Sequence, residues 1–232
     1  VFDFEWRSIP LDSEAQVMKI QAVCFDMDGT LIRNTDSVRF LCTINGNSEA
    51  FEEIEELESD GRVRWDEADY LKVPLTKGLS VAKVEAGFES DVELVQNIEQ
   101  VLTHLKGRGV KSVIITSGPV QVARIIGTRF GFDCVYGSLY EEKNGYLTGR
   151  LTSHVGADGK IRCLEDFCRK NGIGLEQCVA IGDSGSDIKV FEACGRSIAV
   201  NYTDAVKGKA SEYIVTDDLS DLIDILDSWI GE

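Results

Sequence analysis

Residues 23–32 read VCFDMDGTLI, an apolar run that delivers two carboxylates, Asp26 and Asp28, one residue apart. A second acidic turn, Gly182-Asp183-Ser184-Gly185-Ser186-Asp187, follows the apolar run Cys178 to Ile181. A third apolar run, Val110 to Thr116, ends in Ser117-Gly118-Pro119. Carboxylates gathered at one point repel one another, and a hard divalent cation relieves that repulsion. Oxygen-only ligands with few neutral donors point to Mg²⁺. A carboxylate held rigidly at such a point is also a competent nucleophile toward phosphorus, which places Asp26 in that role. Asp28, two positions on, is placed to protonate a leaving alkoxide and then to activate water. A transferring phosphoryl group needs donors and a cation around its oxygens. Ser117 and the Gly118 N–H, at an expected helix start, supply donors, and Lys160 the cation. Thr30, inside the same DxDGT run, joins them on the substrate side.

These residues are far apart in sequence, so the fold must gather them. Buried strands are expected at 20–25, 110–116 and 178–181, with shorter ones at 197–200 and 213–215. Between them lie helical patterns: Leu94, Val95, Ile98, Val101, Leu102 and Leu105 in one stripe, Val120 to Phe130, 160–171, IKVFEAC and the closing LSDLIDILDSWI. Asn144-Gly145 between apolar runs signals a hairpin. Strands alternating with helices predict an α/β fold with a doubly wound parallel sheet. In such a sheet ligands bind beyond the carboxyl ends of the strands, where all three polar turns would meet. From Asn34 to Glu89 the pattern changes to short acidic helices, with Phe51, Ile54 and Leu57 at three-residue spacing. The expected division is an N-terminal extension at 1–17, a core at 18–33 and 90–232, and a helical cap at 34–89. The cap would cover the site and supply specificity.

The whole chain bounds these readings. Its 232 residues suffice for one large domain with a small insert. The formal charge of -16 argues against nucleic acid and anionic membranes as partners. No apolar run approaches the roughly 20 residues that cross a bilayer. The mixed, acidic segment ahead of Met18 reads as no secretory signal, and as a natural extension or an altered start. Seven cysteines at irregular spacing form no zinc pattern and fit a reducing, cytoplasmic setting.

At these residues the chain resembles the haloacid dehalogenase superfamily of phosphatases, over roughly residues 20 to 220. Asp26 and Asp28 fall on its first motif, Ser117 on the second (Thr116 being the alternative), Lys160 on the third, and Asp183 and Asp187 on the fourth. The resemblance implies Mg²⁺ held by the Asp26 carboxylate, the Asp28 carbonyl and Asp183, with Asp187 in support. It also implies a phosphomonoester hydrolase working through an aspartyl-phosphate. Within the superfamily the chain is similar to the phosphoserine phosphatase group, whose cap also lies between the first two motifs. The specificity positions depart from that group. Thr35, with Asp36 beside it, stands where a Glu meets the substrate amine, and Lys72 stands where an Arg holds the substrate carboxylate. A Lys cannot reproduce the two-pronged bonding of Arg. Lys72 is nonetheless expected to face the substrate, and Trp65 either to face it or to belong to the core of the cap.

The substrate is therefore read as a small phosphorylated metabolite: phosphoserine, or phosphoglycolate, glycerol phosphate or a sugar phosphate. Transfer to a second hydroxyl, as in phosphotransferases and mutases, would use the same residues. A receiver-type phospho-switch is the non-enzymatic alternative, but receivers are about half this length and lack the insert. Oligomeric state is not legible.

Overall fold

The computed structural model describes residues 19–231, so the expected extension at 1–17 lies outside the described residues. Among the described residues the first element is β1 (Ala22–Phe25), followed by four helices: α1 (Ser37–Ile44), α2 (Ser48–Ser59), α3 (Trp65–Lys72) and α4 (Val81–Asp91). A 3₁₀ turn at Val73–Thr76, with Pro74 in its first turn, separates α3 from α4. Next come α5 (Ile98–Gly107), β2 (Lys111–Pro119), α6 (Val120–Phe130), β3 (Cys134–Lys143), β4 (Tyr146–Ser153) and α7 (Gly156–Asn171). The remainder is β5 (Cys178–Gly182), α8 (Ile188–Ala193), β6 (Arg196–Val200), β7 (Glu212–Ile214) and α9 (Ile223–Ile230).

The seven strands of the described residues form one sheet in the order β4-β3-β2-β1-β5-β6-β7. Only the β3–β4 pair is antiparallel. Asn144 and Gly145 both take positive φ in its turn, as the sequence predicts. β1 is buried along its whole length, and its side chains alternate between two cores. Val23 and Phe25 join the face that also holds residues of α5, α6 and α9. Ala22 and Cys24 join the face covered by α7 and α8. Phe40, Leu41, Val84 and Phe88, from α1 and α4, pack into the first of these cores. Val38, Cys42 and Phe51 form a small cluster of their own with Leu75.

The register fixes the site. Phe25 lies level with Ile114 of β2 and Ile181 of β5, so Asp26 leaves the sheet beside the end of β5 and next to the point where β2 slips its register with β3. The Asp26 N–H still donates to the Ile181 carbonyl, at 2.8 Å.

Four local expectations change. α1 has no counterpart in the sequence reading; Asp36 caps it by accepting the Arg39 N–H at 2.7 Å. The stripe beginning at Leu94 is helical only from Ile98, because Val95 donates to the Leu31 carbonyl and Gln96 to Asp217. β2 runs on to Pro119 with a register slip after Ile115, so Ser117 and Gly118 belong to a distorted strand end that leads directly into α6, whose N-cap is Pro119. α7 begins at Gly156, which moves Lys160 from a helix tip into a buried second turn.

The segment returning from the helical insert is stitched to the hairpin. The Gly78 N–H donates to Leu147, the Leu147 N–H to Leu79, and the Val81 N–H to Gly145.

Candidate active site

Asp26 is buried at the end of β1, and Lys160 reaches it from α7. The ammonium donates to Asp26 Oδ1 and Asp187 Oδ1, each at 2.7 Å. Burial opposes the charge on Lys160, but Asp187 and Asp26 outweigh it and hold the ammonium firmly protonated. Asp187 is fixed in turn, its Oδ2 accepting the N–H groups of Asp183 and Ser184 at 3.1 and 3.2 Å. Burial and the Asp187 charge raise Asp26 to about 6, against the pull of Lys160.

Asp28 turns away from this cluster toward α1. Its Oδ1 accepts the Ser37 N–H at 2.7 Å and its Oδ2 the Ser37 hydroxyl at 2.6 Å. Burial and the nearby Asp36 charge raise Asp28 to about 7, a value suited to exchanging protons near neutrality. Gly118 closes the other side. A Cβ there would strike the Ser37 hydroxyl and lie 2.7 Å from Asp28 Oδ2. Its N–H is already given to the Thr116 hydroxyl at 2.9 Å, so the expected phosphate donor at Gly118 is committed within the protein.

Asp183 lies past the end of β5. Burial, then the charges of Asp26 and Asp187, push it up to about 8. Its Oδ1 is buried without a hydrogen-bond partner, as are the hydroxyls of Thr30 and Ser117. Carboxylate oxygens of Asp26, Asp183 and Asp187 lie within 4.8 Å of one another. Gly29, at φ +80, lets the loop pass so close that a Cβ would meet the Asp183 carboxylate, with Cγ at 2.7 Å. An all-oxygen set with an orphaned carboxylate oxygen and strong mutual repulsion fits a hard divalent cation. Asp187, with both oxygens engaged, orients Lys160 and the β5 turn.

Asp28, Ser117 and Gly118 line a cleft of about 580 Å³. Ser184, Gly185 and Ser186 line it from the β5 turn, and Asp36, Val38, Glu55, Glu58, Trp65, Asp69 and Lys72 from the helical insert. Lys72 thus faces the cleft as expected, but not as a free cation. It is 7% exposed, and its ammonium is ion-paired with Glu55 and, at 3.1 Å, with Glu58. Trp65 is 42% exposed at the cleft edge.

Residues 23–192 match the family model of haloacid dehalogenase-like hydrolases. The chain belongs to this family. Its relatives include the phosphoserine phosphatase of Methanocaldococcus jannaschii, 28% identical over 88% of this chain and 97% of that one. Another, from Archaeoglobus fulgidus, is 30% identical over 88% of this chain, which spans only 59% of that protein's length. Among solved structures, a phospho-aspartyl intermediate analogue of phosphoserine phosphatase superposes with a TM-score of 0.78. It is 27% identical and covers 90% of this chain and 100% of its own.

For this haloacid dehalogenase-like hydrolase, sequence reasoning missed Ser37 and the glutamates of the cleft wall, Glu55 and Glu58. The pair Asp36-Ser37 carried a usable signal, a cap residue opening a helix nine residues after Asp28. Glu55 and Glu58 carried none, because they read as the solvated face of an acidic helix.

Proposed function

We propose that the chain is a Mg²⁺-dependent phosphomonoester hydrolase acting on a small phosphorylated metabolite through an aspartyl-phosphate. The observation that carries this reading is the pairing of Asp26, ion-paired with Lys160, with a separately held Asp28 raised to about 7. Asp26 attacks phosphorus; the bond to the leaving oxygen breaks, and protonated Asp28 gives that oxygen its proton. Water then attacks the same phosphorus, ionised Asp28 takes the proton, and the bond to Asp26 breaks. Lys160 holds Asp26 in place and sets positive charge beside the phosphoryl oxygens. Ser117, which lines the cleft, has an unpartnered hydroxyl to offer a phosphoryl oxygen; Thr30, equally unpartnered, is fully buried outside the cleft lining. Asp26, Asp183 and the Asp28 carbonyl would hold the cation, which neutralises the charge of the transferring group. Residues 34–89 act as a cap that excludes bulk water and reads the rest of the substrate.

The name of its relatives makes phosphoserine the first compound to test, beside phosphoglycolate, glycerol phosphate and sugar phosphates. Asp26→Asn should abolish turnover of p-nitrophenyl phosphate in Mg²⁺. Retention of more than about a hundredth of the wild-type rate, under about 3 kcal/mol, would remove Asp26 as nucleophile. A single phosphorylation without turnover would point to a switch.

A further inference from the structure

Beside Asp26, at the proposed phosphate end of the site, the buried Lys160 supplies positive charge. The far wall, built from the insert, has the opposite character. Asp36, Glu55, Glu58 and Asp69 line it, and Lys72 is the one lining Lys or Arg among the described residues. Lys72 is already divided between Glu55 and Glu58. The next cation, Arg39, is divided among Asp36, Glu52 and Glu55. Asp69 is paired with His154, at 2.9 Å. Four carboxylates thus share two permanent cations, Asp69 has only the imidazole of His154, and the wall keeps a surplus of negative charge. Trp65 adds an accessible aromatic face at the same place.

A substrate group bearing negative charge would meet that surplus and would have to displace two glutamates from Lys72. An ammonium group would meet carboxylates in excess of their cations, and a ring able to receive a cation. We propose that the substrate is a phosphorylated amino alcohol, with phosphate at one end, an ammonium group at the other and no carboxylate. Glu58 and Glu55 are the residues that select it. The proposal rests on the phosphatase reading, takes its substrate class further, and moves it away from phosphoserine.

The test is the ranking of kcat/KM in Mg²⁺ for phosphoethanolamine, phosphoserine, phosphoglycolate and p-nitrophenyl phosphate. Phosphoethanolamine should lead phosphoglycolate by about thirtyfold or more and phosphoserine by about threefold or more. Calorimetry supplies a reading independent of turnover: 2-aminoethylphosphonate should bind more tightly than phosphonoacetate. Glu58→Gln should lower the preference for phosphoethanolamine over phosphoglycolate by about tenfold, since it removes one acid and half-releases Lys72. The wild-type ranking decides the matter even if that variant fails to fold. Phosphoserine or phosphoglycolate in the lead, or equal rates for all, overturns the substrate class and leaves the phosphatase intact. No turnover of any compound, with no phosphonate binding, overturns both.

Discussion

Ser37 and Gly118 meet Asp28 at one point, one by donating to it and the other by leaving room. Ser37→Ala removes a hydroxyl that favours the ionised carboxylate, so the Asp28 pKa should rise further above about 7. The step that needs ionised Asp28 then gains its rate at higher pH. The ascending limb of the kcat profile should move upward in pH while KM changes little. An unmoved limb would mean that Ser37 is only a helix residue. Gly118→Ala forces a Cβ into Ser37 and Asp28. A displacement of about an ångström at a proton-transfer group should cost about a hundredfold in kcat, with the melting temperature largely kept. A near-normal kcat would show that Ser37 and Asp28 yield without consequence. Asp26, Asp28 and Asp183 were legible because each follows an apolar strand directly, and a strand end admits little freedom of direction. Ser37 was not, because its contact depends on the chain doubling back after a turn. The commitments of Lys72 were hidden for a related reason. Glu55 and Glu58 lie on another helix, and only the packing of α2 on α3 brings them to the ammonium.

Among the elements, α2 places no buried residue in the main core. Phe51 is its one buried residue, held in the small cluster with Val38, Cys42 and Leu75. Arg39 and Lys72 lie over its ring, at 4.7 and 5.2 Å from the centroid. Phe51→Ala should cost about 3–5 kcal/mol of packing, felt within the insert rather than across the sheet. Amide exchange should quicken over residues 37–76 while β1 and β5 keep their protection. Uniform quickening would tie the insert to the core as one cooperative unit. The type and order of the elements were legible from periodicity, since buried parallel strands and amphipathic helices alternate plainly. The start of α5 was not. Its apolar stripe runs unbroken from Leu94, yet Leu94 and Val95 are apolar because they cover Ile32 and Leu31 in extended form. Two periods overlap there, and only pairing across the chain separates them.

For the molecule as a whole, the site is a charge problem that folding creates. Asp26, Asp28 and Asp183 are raised to about 6, 7 and 8, against about 3.9 in an unfolded chain. Groups raised in this way contribute their stability below pH about 4 and lose it as pH rises through the folded values. Without a divalent cation the fold should therefore weaken between about pH 4 and 8. A cation needs these acids ionised, so Mg²⁺ should raise the melting temperature more at pH 8 than at pH 5.5. Asp183→Asn should raise the cation-free melting temperature at pH 8 and remove most of the Mg²⁺ increment. Equal increments at both pH values would separate these acids from cation binding. The helical insert carries a further consequence through the segment that returns from it along the hairpin. β4 is the outer member of the sheet, and an outer strand offers unpaired amides to any other chain that passes. Gly78, Leu79 and Val81 occupy those amides and carbonyls over Gly145 and Leu147. At the opposite margin β7 is only three residues long. A variant with the insert excised would lose more than its selectivity. It would present the β4 margin bare, and its characteristic failure should be edge-to-edge aggregation rather than a soluble enzyme of broad specificity.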